Sequence, residues 1–91
     1  MQPQNGDYIT QVNFVDVDNN GAMGAQLGAL TGTGSTTGNN IQAQDVPRMG
    51  FPRGAGDASI ADALILAKMH TRTVMVHIVN FPNSQIGGVR L

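Results

Sequence analysis

The chain has 91 residues, of which 12% are charged and none is cysteine, and its formal net charge is −1. This length indicates one domain spanning residues 1–91, and the lack of cysteine excludes disulfide bonds, thiolate catalysis and cysteine-bound metals. The near-neutral charge gives no reason to expect nucleic acid as a direct partner, and no motif indicates a cofactor.

The N-terminal ten residues contain neither a basic segment nor an apolar run, so we expect no signal peptide. The longest uninterrupted apolar stretch, residues 63–67, is far shorter than the ~20 residues that span a bilayer, so we expect no membrane partner. A surface with so few charges is less protected against association, which favours a subunit that packs against other chains.

Residues 8–18 are predicted to form a strand, because Tyr, Ile, Thr, Val and Phe dominate the segment. Its alternation changes phase, since Val12 and Phe14 share one face and the next two valines share the other. A β-bulge near Phe14 would reconcile the two phases. Residues 19–21 are Asn-Asn-Gly, which predicts a turn.

Residues 19–56 contain most of the twelve glycines and no strong helix signal, which indicates a long glycine-rich loop or arm. Within it, residues 22–30 are compatible with a weak strand or a turn of helix, and residues 41–46 with a short strand. Residues 31–40 contain no Ile, Leu, Val, Phe or Met, so burial within the same chain offers little to offset the entropy of ordering them. We therefore expect much of this segment to contact other chains.

A helix is predicted over residues 58–70, where Ser59 and Asp62 have the spacing of a capping box. At about 100° per residue, its apolar side chains lie on almost every side. Such a helix is normally buried on several sides, and a chain of 91 residues has little material to enclose it. We therefore expect a partner to cover part of it. Together with the arm, this gives five candidate interface residues: Leu27, Leu30, Ile41, Phe51 and Leu66.

Residues 74–81 are predicted to form a strand with apolar side chains on both faces, which is typical of a strand covered on both sides. Pro82 ends it, because proline cannot continue the hydrogen-bond ladder. Residues 86–91 are predicted to form a final edge strand. These elements predict an α+β fold: a small mostly-β domain with one helix, at about 58–70, packed on a short sheet, plus the long glycine-rich arm.

The tetrapeptide Gly54-Ala55-Gly56-Asp57 precedes the predicted helix. It resembles the GAGD signature of ribokinase-like sugar kinases, in which the glycines free backbone N–H groups for an oxyanion hole and the aspartate is the catalytic base. The resemblance implies those roles for the same four residues, but that family's fold is several times longer than this chain. We interpret the tetrapeptide as a glycine-rich helix start, whose N–H groups can bind anions whatever the function.

Residues 16–21, Asp-Val-Asp-Asn-Asn-Gly, match the first half of a calcium-binding loop. The twelfth position of that loop should supply a bidentate glutamate and is Leu27 instead. We therefore interpret the segment as a polar turn and predict that it binds no calcium.

Gly32 and Gly34 begin like a dinucleotide-binding fingerprint, but Thr37 stands where the third glycine belongs and no helix is predicted to follow. We interpret this segment as loop.

His70 and His77 are the two histidines of the chain. His77 lies on a predicted strand, where we interpret it as a partly buried, hydrogen-bonded residue. Ser59, Asp62 and His70 could share one helix face, but a Ser-His-Asp triad also needs an exposed nucleophile and an oxyanion hole. We predict no catalytic residues.

These observations favour a non-enzymatic structural or assembly subunit that forms a homo-oligomer or packs on a larger protein. Small capsid, decoration and tail components of virions are subunits of this kind. The alternative is a small ligand- or anion-binding domain that uses the glycine-rich helix N-terminus at residues 54–59.

Overall fold

The computed structural model describes residues 3–51, 59–80 and 83–91, which form seven strands and one α-helix. In chain order the elements are β1 (Gly6–Val17), β2 (Met23–Leu27), β3 (Leu30–Gly32), β4 (Asn40–Ile41), β5 (Met49–Gly50), α1 (Ser59–Met69), β6 (Thr73–Asn80) and β7 (Ser84–Arg90). Two short 3-10 turns, Gly34–Thr36 and Ala43–Asp45, lie on either side of β4. A mostly-β domain with one helix is therefore confirmed.

Five of the strands close into a barrel in the order β1–β2–β5–β7–β6–β1. Neighbouring barrel strands are antiparallel except β5 and β7, which are parallel. Closure depends on β1, which pairs with β6 along residues 6–11 and with β2 along residues 12–17. The prediction of a short plain sheet is wrong. A strand as long as β1 can bend and pair with a different neighbour along each half, which closes the barrel.

The bend in β1 is the predicted bulge. The pairing of β1 with β2 shifts register between Val12 and Phe14. Val12 is buried in the core, whereas Phe14 is 47% exposed on the outer surface. A bulge increases local twist, and here it lets β1 change neighbours.

The glycine-rich segment contributes four strands, β2 to β5, within residues 19–51. It supplies β2 and β5 to the barrel, and β3, with β4 beside it, pairs with β1 on the edge opposite to β6. The predicted strand at 41–46 is mostly wrong, since β4 ends at Ile41 and a 3-10 turn follows. This segment needs few apolar residues, because hydrogen bonds hold much of its backbone in place.

Thr36 provides the clearest example of such a bond. Its side chain is almost fully buried. The hydroxyl group lies 2.6 Å from the carbonyl oxygen of Asp7, to which it donates, and accepts the N–H of Thr33 at 3.0 Å. Residues 31–40 are therefore attached to β1 by a buried polar contact that no apolar pattern could predict.

The predicted helix is confirmed, with α1 running from Ser59 to Met69. It packs across β1 and β7. The side chains on its core side are buried: Ile60, Ala61, Leu64 and Ala67. Just after the helix, Thr71 has a left-handed φ of 51°, and the N–H of Arg72 donates to the carbonyl of Ala67 at 3.0 Å. No helix within the described ranges is long and apolar enough to cross a membrane.

The strand β6 is covered on one face. Val74, Val76 and Ile78 point into the barrel and are buried, whereas His77 and Val79 are exposed on the outer surface. The prediction of two covered faces is wrong, because no second layer lies over this side of the barrel within the described residues. Likewise β7 lies between β6 and β5, so the predicted final edge strand is a barrel strand.

Candidate functional site

The solvent-facing side of α1 carries three large apolar side chains. Ile65, Leu66 and Met69 are 43%, 41% and 72% exposed. Asp62 lies among them and is exposed. We call these four residues the outer α1 face. A helix that is apolar on its core side and on its solvent side is typical of one that a partner covers.

The other four candidate interface residues are buried in the core of their own chain. Leu27 and Leu30 are fully buried, and Ile41 and Phe51 are buried in the same cluster. These side chains stabilise the isolated domain. Of the five candidates from the sequence, Leu66 is the one that offers surface to a partner.

A row of four residues crosses the outer surface of the barrel. Asp16 of β1 pairs with Gly24 of β2, and Gly24 pairs with Gly50 of β5. Gly50 in turn pairs with Gln85 of β7. Because directly opposite residues on neighbouring strands point to the same face, the two glycines leave the middle of the row without side chains. The resulting cleft of about 560 Å³, which we call the glycine cleft, extends from the β1–β2 turn to the start of β7.

Arg48 lies across the floor of the glycine cleft. Its guanidinium group occupies the space that a side chain at Gly24 would fill, since a methyl group there would lie 2.7 Å from Nη1. The Nε and Nη2 groups of Arg48 lie 2.8 and 2.7 Å from Oδ1 of Asp16 and donate to it. This hydrogen bond is the main reason why the pKa of Arg48 is raised above its ordinary value. Both side chains are well exposed, so the pair positions Arg48 more than it stabilises the fold.

Asp18 closes the turn at one end of the cleft. Its Oδ1 atom accepts the backbone N–H groups of Asn20 and Ala22 at 2.8 and 2.9 Å. The bond from Ala22, followed by that from Asn20, lowers the pKa of Asp18 below its ordinary 3.8. The two carboxylates of the half-matched calcium loop are therefore engaged by Arg48 and by the turn. Within residues 3–51, 59–80 and 83–91, no three histidine or acidic side chains gather at a metal-binding distance.

The other side of the cleft presents uncharged polar groups. Asn83 is exposed and Gln85 is half-buried, so both side-chain amides can donate and accept hydrogen bonds. The hydroxyl of Ser84 is already bonded to Oδ1 of Asn80 at 3.3 Å. The described charges at the cleft are one positive group, Arg48, and two negative groups, Asp16 and Asp18. The cleft therefore has no excess of positive charge.

His77 and Asp7 form a second surface pair, on the outer side of β1 and β6. Nδ1 of His77 lies 2.8 Å from Oδ1 of Asp7, and both side chains are about half exposed. The predicted hydrogen bond of His77 is confirmed, but its predicted burial is wrong because this side of the barrel is open. The structure does not bring Asp62 and His70 together, since eight residues, or more than two helical turns, separate them.

Two sequence motifs lack a site in the described structure. The tetrapeptide at 54–57 and most of the segment 54–59 lie outside the described residues. Gly32 ends β3 and Gly34 begins a 3-10 turn, and no α-helix follows within residues 34–51. The dinucleotide fingerprint therefore lacks the helix that it requires.

Sequence reasoning did not single out Arg48, Asn83 or Gln85. These residues belong to separate segments, and the strand register brings them together. The available signal was the pair of strand glycines, Gly24 and Gly50, because glycine within a strand often marks a close approach to the backbone.

Comparison of the chain with protein-family models, with curated proteins and with solved structures finds no match in any of the three. The surfaces of the chain itself are therefore the basis for proposing what it does.

Proposed function

We propose that the chain is a non-enzymatic assembly subunit, which packs through the outer α1 face onto a copy of itself or onto a larger protein. One observation carries the proposal: Ile65, Leu66 and Met69 form an exposed apolar patch on a helix whose opposite side is buried. Contiguous apolar patches on a protein surface mark sites of interaction. A small virion component, whether capsid, decoration or tail, is a setting that suits such a subunit.

The composition supports the same proposal. Only 12% of the residues are charged, compared with about 25% in typical globular chains. Charged residues normally keep a surface from associating, so a chain with few of them resists association poorly. The outer α1 face has Asp62 as its one charged residue, and this carboxylate can remain at the rim when the apolar side chains are covered.

The test is the molar mass in solution, measured by light scattering on size-exclusion fractions. We expect the wild-type chain to form a multimer and Leu66→Ser to lower its mass toward that of the monomer. Val79→Ser is the matched control, because Val79 is also exposed but lies on β6. A wild-type monomer over a wide range of concentrations, unchanged by Leu66→Ser, would contradict self-assembly. Retention of the wild type, but not of Leu66→Ser, by a larger protein would assign the face to that protein.

A second candidate function is the binding of a short oligosaccharide in the glycine cleft. Five-stranded barrels of the OB type bind oligonucleotides or oligosaccharides across the face of two neighbouring strands and the loops beside it, and the glycine cleft lies on β2 and β5 in that way. This is an argument from architecture. The charge of the cleft favours the neutral ligand, because Arg48 is neutralised by Asp16 and a phosphate backbone needs excess positive charge.

Calorimetric titration with chitohexaose and with a single-stranded oligothymidylate tests this second function. We expect the sugar to bind and the oligonucleotide not to bind. Gly50→Val should abolish the binding by filling the cleft, because a Cβ atom there meets nothing closer than the carbonyl oxygen of Met23 at 3.7 Å. Gly88→Val is the matched control, since its Cβ atom would have similar space, 3.8 Å from Cβ of His77, outside the cleft. Equal binding of the sugar by both variants would exclude the glycine cleft as its binding site.

A further inference from the structure

A second cleft lies on the outer surface of β1, β6 and β7, and two consecutive glycines of β7 form its floor. Gly88 pairs with His77 of β6, whereas Gly87 is the extra residue at the register shift between β6 and β7. The glycines leave the floor without side chains, and β-bulges are over-represented next to active sites. The cleft has a volume of about 370 Å³, and we call it the β7 basin.

His77 forms one wall of the β7 basin. The hydrogen bond between Nδ1 of His77 and Oδ1 of Asp7, at 2.8 Å, holds the imidazole ring in place. On the other side of the ring, Cδ2 lies 3.7 Å from the position that a Cβ atom at Gly87 would take. The neighbouring Nε2 atom makes no hydrogen bond with any described residue. It is therefore available to a ligand, and it donates a hydrogen bond when the ring is protonated.

Arg90 lies at the opposite end of the β7 basin. It pairs with Met75, two residues along β7 from Gly88, so its side chain is on the same face as that of His77. The Cα atoms of such diagonal neighbours are about 7–8 Å apart, which is within reach of a long side chain. Both ion pairs among the described residues involve other cations, so Arg90 has no carboxylate partner in that part of the chain.

We propose that the β7 basin binds a small organic carboxylate. The carboxylate pairs with the guanidinium group of Arg90, whose planar fork suits it, and accepts a second hydrogen bond from Nε2 of His77. The body of the ligand lies over the glycine floor and against the side chain of Met75, which is half-buried. Asp7 orients the imidazole ring from behind and does not contact the ligand.

The size and charge of the β7 basin select this class of ligand. A volume of about 370 Å³ lies in the range of small-molecule pockets and is much larger than a carboxylate group alone requires. The charges of Asp7 and Arg90 cancel, and a protonated His77 adds one positive charge. One negative charge on the ligand is therefore matched, whereas a phosphate dianion would need a further cation.

Titration followed by ¹H–¹⁵N NMR tests the proposal, with benzoate, benzyl alcohol and acetate as the probes. We expect benzoate to bind with a millimolar dissociation constant and to shift the amide signals of Gly87 and Gly88. Benzyl alcohol lacks the charge and acetate lacks the ring, so each should bind roughly tenfold more weakly or worse. Equal binding of benzoate and benzyl alcohol would overturn the proposal.

Two variants, each with a matched control, locate the binding. Arg90→Gln should weaken the binding of benzoate roughly tenfold, because it removes a charge-assisted hydrogen bond. Arg72→Gln is its control, since Arg72 is also exposed but does not line the β7 basin. Gly88→Val should abolish the binding by filling the floor, and Gly50→Val, in the glycine cleft, should leave it unchanged. Signal dispersion in the same spectra shows that each variant is folded. Equal effects of either variant and its control would overturn the site.

The inference is independent of the proposed assembly function. None of the described residues that line the β7 basin belongs to the outer α1 face. Leu66→Ser should therefore bind benzoate as the wild type does, whatever its mass in solution. N-acetylphenylalanine distinguishes the two sources of such a carboxylate. If it binds more tightly than benzoate, the ligand is the C-terminus of a peptide, and the reverse order assigns the β7 basin to a free organic acid.

Discussion

Gly32 packs directly against the backbone of the Gly34–Thr36 turn, with no room for a side chain between them. A methyl group at Gly32 would overlap the carbonyl oxygen of Thr36 and would lie 2.8 Å from that of Asn39. Both atoms belong to the backbone, and the carbonyl oxygen of Asn39 accepts a hydrogen bond from the N–H of Gly32 at 3.0 Å, so neither can move aside easily. This contact fixes residues 33–39 against β3.

We therefore expect Gly32→Ala to destabilise the protein by about 1–3 kcal/mol, as overpacking does. The free energy of unfolding in urea measures this. Gly50→Ala is the matched control, because its nearest neighbour would be an ordinary contact at 3.7 Å, and we expect a change within about 0.5 kcal/mol. Equal effects of the two substitutions would show that residues 33–39 do not pack on Gly32.

The stability of the protein should also depend on the hydroxyl group of Thr36. Thr36→Val keeps the shape but leaves the carbonyl of Asp7 and the N–H of Thr33 without this partner. These two groups remain hydrogen-bonded to each other at 3.0 Å, so we expect a loss of about 0.5–1.5 kcal/mol in the free energy of unfolding, the net contribution of a hydrogen bond. Thr37→Val is the control, because Thr37 is exposed. A neutral Thr36→Val would instead favour the expectation that other chains order residues 31–40.

The contrast between these residues and α1 shows what the sequence could predict. The helix, the β1 bulge and the β6 strand follow from local apolar patterns, and all three are present in the structure. The order of residues 31–40 depends on Thr36 reaching Asp7, 29 residues away. No local pattern contains such a bond, so the segment resembled a linker.

Barrel closure and the glycine cleft could not be predicted from the sequence for a similar reason. Among the described residues, β5 and β7 meet through one pairing, Gly50 with Gln85, between segments that have no shared pattern. The exposed side of α1, in contrast, could be predicted from the local sequence. Leu66 stood out because its apolar side chain fell between Asp62 and His70 on the helical wheel, and it is exposed in the structure.

Thr71 occupies a position that suits glycine. Its φ of 51° is left-handed, which costs a residue with a Cβ atom about 1–2 kcal/mol. We expect Thr71→Gly to raise the free energy of unfolding by about 0.5–1 kcal/mol, because the added chain entropy of glycine in the unfolded state offsets part of the relief. Thr73→Gly in β6 is the control and should destabilise the protein by a similar amount. Destabilisation by both would show that Thr71 is not strained.

Asp18 should make the stability of the protein depend on acid pH. Its folded-state pKa is lowered below 3.8, first by the N–H of Ala22 and then by that of Asn20. A lowered pKa means that the ionised carboxylate favours the folded state, so its contribution is present above the unfolded pKa and is lost as pH falls through the folded pKa. Asp18→Asn keeps an oxygen acceptor but removes the titration. We therefore expect the variant to be less stable than the wild type at neutral pH, with a difference that shrinks as the pH falls below 3.8. Urea unfolding at a series of pH values measures both curves, and parallel curves would show that the turn does not depend on the charge of Asp18.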